Sequence, residues 1–183
     1  MVLVNGEIST LLAVTDRGFN YGDGLFTTLC CRAGQPLLWP LHVERLQQGC
    51  ARLGFAMPAA GLLQAEVQSL AAGSDCIAKI ILTRGSGGRG YGCNGVLGPN
   101  RVISTHPLPQ HRQQWREQGV RLATLGGRLG TQPLLAGLKS LNRLEQVLVN
   151  LLANAFDATA GGAASLRRVR IVARSTPGRR WIC

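Results

Sequence analysis

Lys139 is the residue of this chain best suited to covalent chemistry. It follows Leu138 in the segment LLAGLKSLNRLEQ, just after a glycine and before a helical pattern. A lysine with apolar neighbours can have a lowered amine pKa, which favours attack on a carbonyl cofactor. A solvated surface lysine is the alternative interpretation. The other lysine, Lys79, lies in a strand-like run without glycine-rich access.

Two other features of the sequence could bind anions. Arg45 lies in an amphipathic helical pattern, and a guanidinium group matches phosphate geometry, although a lone helix arginine usually faces solvent. The string RGSGGRGYG contains Arg84 and Arg89, which could bind carboxylates, and its glycines would let the backbone approach a ligand. The string lacks the lysine and the following helix of a P-loop. A flexible hairpin tip is the alternative interpretation.

The elements that must position these residues follow from hydrophobic periodicity and turn residues. Strands are predicted at residues 2–7, 25–31, 36–39, 76–83, 101–105 and 119–125, with turns at Asn5-Gly6 and Ala33-Gly34. Helices are predicted from His42 to Gly54, after Pro58, and along the stripe from Leu141 to Ala155, with Asn142 as its N-cap and Glu145 as the third-position partner. Because strands and helices do not alternate regularly, we predict an α+β fold.

Composition narrows the function classes. With 45% hydrophobic residues among 183, and a mean hydropathy of +0.10, the chain can bury a core. It shows neither a signal peptide nor an apolar run near the roughly eighteen residues of a membrane span, so we expect a cytoplasmic protein without membrane contact. The net charge of +11 is concentrated in an arginine-rich end, so nucleic-acid binding is not expected. Six scattered cysteines predict buried, reduced thiols and no metal site.

Five strings in the same order resemble the aminodeoxychorismate lyase branch of the class IV aminotransferase family. They are VNG, LAVTDRGFNYGDGLFTT, HVERLQQGCARL, ILTRGSGGRGY and AGLKSLNRLEQVL. The resemblance implies the fold of fold-type IV pyridoxal-phosphate (PLP) enzymes, which is similar to that of D-amino acid aminotransferase. We therefore expect a complete N-terminal α+β domain at residues 1–108, the start of a PLP-binding second domain at 109–148, and an atypical arginine-rich tail at 149–183.

The resemblance also implies roles for individual residues. Lys139 matches the lysine that holds PLP and transfers protons, Arg45 matches the arginine that binds its phosphate, and Asn142 is expected near the cofactor. The residues expected on the substrate side are Tyr21, Arg84, Arg89 and Tyr91. The implied reaction converts 4-amino-4-deoxychorismate into 4-aminobenzoate and pyruvate, for folate synthesis, in a homodimer. A branched-chain or D-amino acid aminotransferase is the alternative.

The end of the chain departs from the family pattern. The glutamate that pairs with the pyridine nitrogen has no equivalent after residue 146, so we expect a truncated second domain and impaired activity. Residues 143–158 and 169–181 resemble a helix and a hairpin of sensor histidine kinase ATP-binding domains, with Asn150 and Asn154 facing nucleotide and magnesium. This resemblance suggests a composite reading frame, or a non-catalytic nucleotide-binding or interaction fragment.

Overall fold

The computed structural model describes residues 1–87, 90–119 and 133–159, with side chains described up to residue 151. All the strands in these residues join one antiparallel sheet with the order β2-β1-β6-β5-β3-β4. The strands are β1 Val2–Val4, β2 Glu7–Ile8, β3 Gly24–Arg32, β4 Gln35–Pro36, β5 Cys76–Thr83 and β6 Asn100–His106. The helices are α1 Arg17–Tyr21, α2 Trp39–Leu53, α3 Ala60–Ala71, α4 Arg112–Gln118 and α5 Leu144–Thr159.

The two predicted hairpins are confirmed. Asn5 and Gly6 both have positive φ between β1 and β2, and Ala33 and Gly34 do so between β3 and β4. Two successive residues with positive φ give the turn whose twist matches that of the adjoining strands. Gly54 also has a positive φ, of 72°, and ends α2 as the sequence predicts.

Helices α2 and α3 cover one face of the sheet. Alternate residues of β3 point into this core, beginning with Leu25 and Thr27, because successive strand residues face opposite sides. From the helices, Leu46 and Leu63 are fully buried in the same core. The other face of β3 and β5 carries half-buried residues, among them Phe26. The sheet therefore presents a second face on which a site can be built.

Some predicted elements differ in the structure. The strand predicted at residues 36–39 is only Gln35–Pro36, because Leu38 adopts a left-handed conformation and α2 begins at Trp39. Helix α5 begins two residues after Asn142, so the prediction of Asn142 as its N-cap is wrong. The first-turn hydrogen bond runs instead from the Val147 N–H to the carbonyl of residue 143. The strand predicted at 119–125 lies outside the described residues apart from Gly119.

The chain divides into two compact units. The first comprises Met1–Gln113 and Leu135–Asn142, and the second comprises Gln114–Leu134 and Arg143–Cys183. The segment that carries Lys139 thus packs with the first unit, although the sequence assigned it to the second domain. The predicted domain boundaries stay a prediction.

The cysteines are mostly buried free thiols, as predicted. Cys31, Cys50 and Cys76 are buried, whereas Cys93 is exposed and departs from the prediction. Burial, with a smaller contribution from the neighbouring Cys76, raises the pKa of Cys31 to about 12. In the described ranges, no three His, Cys, Asp or Glu side chains are grouped as a metal site would require. None of the helices described there is long and apolar enough to span a bilayer.

Candidate active site around Lys139

Lys139 is held at the edge of the sheet by its own backbone. The N–H of Phe26 donates to the carbonyl of Lys139 at 2.9 Å, and the N–H of Leu141 donates to the carbonyl of Gly24 at 3.0 Å. Between these bonds Ser140 lies opposite Leu25 as an isolated antiparallel bridge. Because side chains alternate along a strand, the Lys139 side chain lies on the same face as Phe26, away from the helices. Its Nζ atom is 5.1 Å from the centre of the Phe26 ring.

The approach of this segment to β3 depends on glycine. A Cβ atom at Gly24 would lie 2.5 Å from the carbonyl oxygen of Leu82 and 2.9 Å from a methyl carbon of Leu141. A side chain at this position would therefore push β3 away from the backbone of β5 and displace the Leu141 side chain of the lysine segment. At Gly22, which has a φ of 66°, the carbonyl accepts a hydrogen bond of 3.4 Å from the Asn142 side chain. Asn142 thus ties the lysine segment to the end of α1, and its expected contact with a cofactor stays a prediction.

Lys79 approaches the same aromatic ring as Lys139. Its Nζ atom is 5.0 Å from the centre of the Phe26 ring, a distance typical of a cation–π contact. The register of β3 and β5 explains this proximity, because it pairs Lys79 with Thr28 and so places Lys79 on the face of Phe26. In the sequence Lys79 lacks a glycine-rich approach and was not expected at the site. Strand pairing, which local sequence patterns do not reveal, brings it there.

His42 is a site residue that the sequence argument missed. Its Nδ1 atom lies 2.7 Å from the hydroxyl of Thr27, which is fully buried next to Phe26. Burial lowers the pKa of His42, and the positive charges of Arg45 and Lys139 lower it further. Arg45 is half-buried one turn along α2 from His42. The charges of Arg45 and Lys139 thus both reach His42, and the neighbouring pair His42 and Arg45 on α2 fits the phosphate of an anionic cofactor.

A second polar cluster surrounds Asp23, three residues before Phe26. The carboxylate of Asp23 accepts from Arg17 Nε at 2.9 Å and from Arg84 Nε at 2.7 Å. Burial alone would raise the pKa of Asp23, but the hydrogen bonds and charges of Arg84 and Arg17 outweigh it and lower the pKa. Asp23 is therefore ionised over the whole physiological range.

Arg84 is occupied by protein acceptors. Besides Asp23, its guanidinium donates to the carbonyls of Leu53 and Gly54 at the end of α2, and it lies 5.4 Å from the centre of the Phe55 ring. Through these contacts Arg84 connects the end of β5 to the end of α2. The expected substrate contact of Arg84 stays a prediction.

The other residues expected on the substrate side are partly described. The rings of Tyr21 and Tyr91 meet edge to face with centres 5.6 Å apart. Arg89 lies outside the described residues. Arg17, which the sequence argument did not single out, donates to three carbonyls beside Tyr91 and lies under Tyr21. The string TDRGFNYGDG did contain a signal, since Asp16 precedes a short helix as an N-cap, accepting a hydrogen bond from the Phe19 N–H.

Comparisons with known proteins identify the family of the chain. The family model described as amino-transferase class IV matches residues 24–161. The chain belongs to this family. It is 42% identical to an aminodeoxychorismate lyase of Vibrio harveyi over 153 residues, which are 81% of this chain and 55% of that protein. The chain thus spans about half the length of this curated relative.

Solved structures show the same relationship. The crystal structure of 4-amino-4-deoxychorismate lyase from Pseudomonas aeruginosa is 46% identical, with a TM-score of 0.75 over 82% of this chain and 56% of that one. A fold IV-transaminase from Curtobacterium pusillum is 29% identical, with a TM-score of 0.63 over 81% of this chain and 53% of that one. The chain therefore has the α+β fold of fold-type IV enzymes, as its sequence predicts.

The resemblance of the tail to a kinase ATP-binding domain is not supported. The family match continues to residue 161, so it assigns the whole of α5 to the class IV family. The predicted hairpin at residues 169–181 and the side chain of Asn154 lie outside what the structure describes. Helix α5 is therefore understood without a kinase origin.

Proposed function

We propose that the chain belongs to a PLP-dependent lyase that converts 4-amino-4-deoxychorismate into 4-aminobenzoate and pyruvate. The observation that carries this proposal is the placement of Lys139, whose backbone is fixed to β3, whose amine lies over Phe26 and whose charge lowers the pKa of His42. The identity to two lyases, at 42% and 46%, supports this substrate over those of transaminases, at 29%.

Each residue of the site would contact or support a different part of the cofactor. Lys139 would hold the aldehyde carbon through its Nζ atom, while Arg45, with His42 beside it, would hold the phosphate. Asn142 would keep the lysine segment in place through its bond to Gly22. When bound, PLP supplies a ring that withdraws electrons from the bonds around the substrate amine.

Lys139 then has a second task as a base. The free Lys139 amine would be the base that removes the proton from the ring carbon bearing the substrate nitrogen. Cleavage of the ring C–O bond would then release enolpyruvate and make the ring aromatic, and the enolpyruvate would take up a proton to become pyruvate. Lys79, which approaches the same Phe26 ring, would add a positive charge that attracts a substrate with two carboxylates.

On the substrate side we propose Tyr21 and Tyr91 as contacts, with Arg84 and Arg89 as further candidates. The exposed rings of Tyr21 and Tyr91 support the first pair. We also propose a homodimer. Exposed apolar residues before and within α1, among them Leu11 and Phe19, support a partner surface, since large exposed apolar groups often mark interfaces.

Cofactor binding tests the proposal directly. PLP added to the purified chain should give an absorbance band near the visible edge that borohydride fixes to one lysine, identified by mass spectrometry. Lys139→Ala should abolish the band, whereas the matched variant Lys79→Ala, which alters the other lysine on the Phe26 ring, should keep it. Modification of Lys79 with Lys139 untouched would refute the assignment.

Substrate assays then separate the lyase from its alternative. Release of 4-aminobenzoate from aminodeoxychorismate supports the lyase, and formation of keto acids from branched-chain or D-amino acids supports an aminotransferase. For either reaction, Lys139→Ala should lower kcat/KM by at least about a thousandfold, as expected on removal of a catalytic group that acts both as nucleophile and as base.

A further inference from the structure

Arg17 is a buried arginine that the chemistry proposed for Lys139 does not use. It is 3% exposed. A charged group so deeply buried is costly unless protein acceptors replace the water it has lost. Its contacts therefore indicate what the arginine is for.

The guanidinium of Arg17 holds the backbone of the glycine-rich loop. Its Nη1 atom donates to the carbonyls of Gly90 at 3.2 Å and Gly92 at 3.0 Å, and its Nη2 atom donates to the carbonyl of Tyr91 at 3.1 Å. Its Nε atom donates to Asp23 at 2.9 Å. One side chain thus binds three successive carbonyls, which fixes the loop at the position of Tyr91.

This backbone contact determines where the Tyr91 ring stands. Tyr91 is 88% exposed, so packing does little to hold its ring. The ring nevertheless meets Tyr21 edge to face at 5.6 Å, and the Arg17 guanidinium lies 4.9 Å from the centre of the Tyr21 ring. Arg17 therefore orders both tyrosines. It holds Tyr91 through the backbone carbonyl of that residue and Tyr21 through the face of its ring.

The same pair is connected to the reactive lysine. Tyr21 precedes Gly22, whose carbonyl accepts from Asn142, and Asn142 follows Lys139 by three residues. The two rings thus stand at the end of the segment that positions the lysine. They expose aromatic surface that no described core residue covers.

We propose that Arg17 is a positioning residue that fixes Tyr21 and Tyr91 as an aromatic wall for the ring of the substrate. This inference rests on the proposed function, because the ligand it requires is a carboxylated six-membered ring. Arg17 does not contact that ligand, since its four hydrogen bonds go to Asp23 and the loop carbonyls.

A spin label on Cys93 tests the positioning. Cys93 is exposed and lies two residues after Tyr91. In the background Cys30→Ser/Cys183→Ser the other three cysteines are buried, so the label should react with Cys93. The variant Arg17→Lys keeps the charge but loses the fork of donors. We expect faster nitroxide motion in Arg17→Lys and no change in Arg32→Lys, a matched replacement of an exposed arginine at the end of β3. Equal mobility in both variants would overturn the proposal.

Ligand binding tests the wall itself, with 4-aminobenzoate as the probe. We expect it to slow the label in the parent protein, with a Kd that rises about tenfold in Arg17→Lys and in Tyr91→Leu, the loss of one favourable contact. Tyr91→Leu changes an exposed ring, so its melting temperature should not change, which separates recognition from folding and keeps the test valid if Arg17→Lys is unstable. An unchanged Kd in Tyr91→Leu, or no response of the parent to the probe, would overturn the wall.

The outcome is independent of the lyase assay. Binding of 4-aminobenzoate with no turnover of aminodeoxychorismate would contradict the proposed function and leave the wall standing. Turnover of aminodeoxychorismate with a KM unaffected by Tyr91→Leu would support the proposed function and contradict the wall. An effect of Arg17→Lys on KM, with kcat retained, is the result expected if both proposals hold.

Discussion

The two polar regions near the start of β3 use their charges in opposite ways. Around Asp23, one carboxylate accepts from two arginines, and the remaining donors of both reach backbone carbonyls. Around Phe26, two lysine amines approach one aromatic ring, and the charge of Arg45 contributes to the lowered pKa of His42. The three charged groups of the first region pair with one another and with backbone carbonyls, as expected of a structural link. The second gathers positive charge, as expected of a site for an anion.

The largest change in stability should come from removing the carboxylate of the first region. Asp23→Asn leaves Arg17 and Arg84 buried without their carboxylate, and loss of one partner of a buried ion pair costs about 3–5 kcal/mol. We expect the free energy of unfolding in urea to fall by about that amount. Glu7→Gln, on the exposed edge strand β2, is the control and should change it little. If Asp23→Asn lowered the free energy of unfolding no more than Glu7→Gln does, Asp23 would not be a structural link.

The same carboxylate makes the first region sensitive to acid. The pKa of Asp23 is lower in the folded chain than its ordinary value of 3.8, so its contribution to stability is complete above that value. The contribution is lost as pH falls from there through the folded pKa. Unfolding measured between neutral pH and pH values below 3.8 should therefore show a steeper decline for the parent than for Asp23→Asn; parallel curves would contradict the assignment.

A smaller effect on stability, but a clear one on ligand binding, is expected in the second region. Arg45→Met removes a positive charge from the proposed phosphate site and keeps an apolar stem of comparable length. The affinity for PLP should fall about tenfold or more, as for loss of a charge-assisted hydrogen bond. Arg32→Met removes the same charge from an exposed position and should leave PLP affinity unchanged. Equal effects of both variants would indicate only a general influence of net charge.

The smallest effect should follow from Thr27→Val. This change keeps the shape of the buried side chain and removes the hydroxyl that lies 2.7 Å from His42. One neutral hydrogen bond contributes about 1 kcal/mol, so the free energy of unfolding should fall by about that amount. Nuclear magnetic resonance titration of His42 should still show a pKa below its ordinary value, because its burial and the nearby charges remain. A return of this pKa to the ordinary value would show that Thr27, rather than the charges, controls the histidine.

Local patterns predicted most of the fold around these regions. Strand β5 follows from a short, largely apolar run, and the turns before β2 and β4 follow from residues that accept positive φ. The short helices α1 and α4 were missed, because five to seven residues contain too few turns to show a helical period. The end of α2 was predicted correctly at Gly54, but its start was not. Leu38 turns the chain there in a conformation that leucine seldom adopts.

What the sequence determined by itself is the family and the importance of Lys139, because ordered strings of residues persist along a chain whatever its folding. The sequence also determined that residues 25–31 form a strand. Only the tertiary structure decided that Lys79 and Lys139 approach the same aromatic ring, and that Arg17 binds the carbonyls of the glycine-rich loop. The physical reason is that strand register and contacts over more than seventy residues depend on packing. A local pattern reports whether a residue is in a strand or helix, whereas its partner is chosen by the rest of the fold.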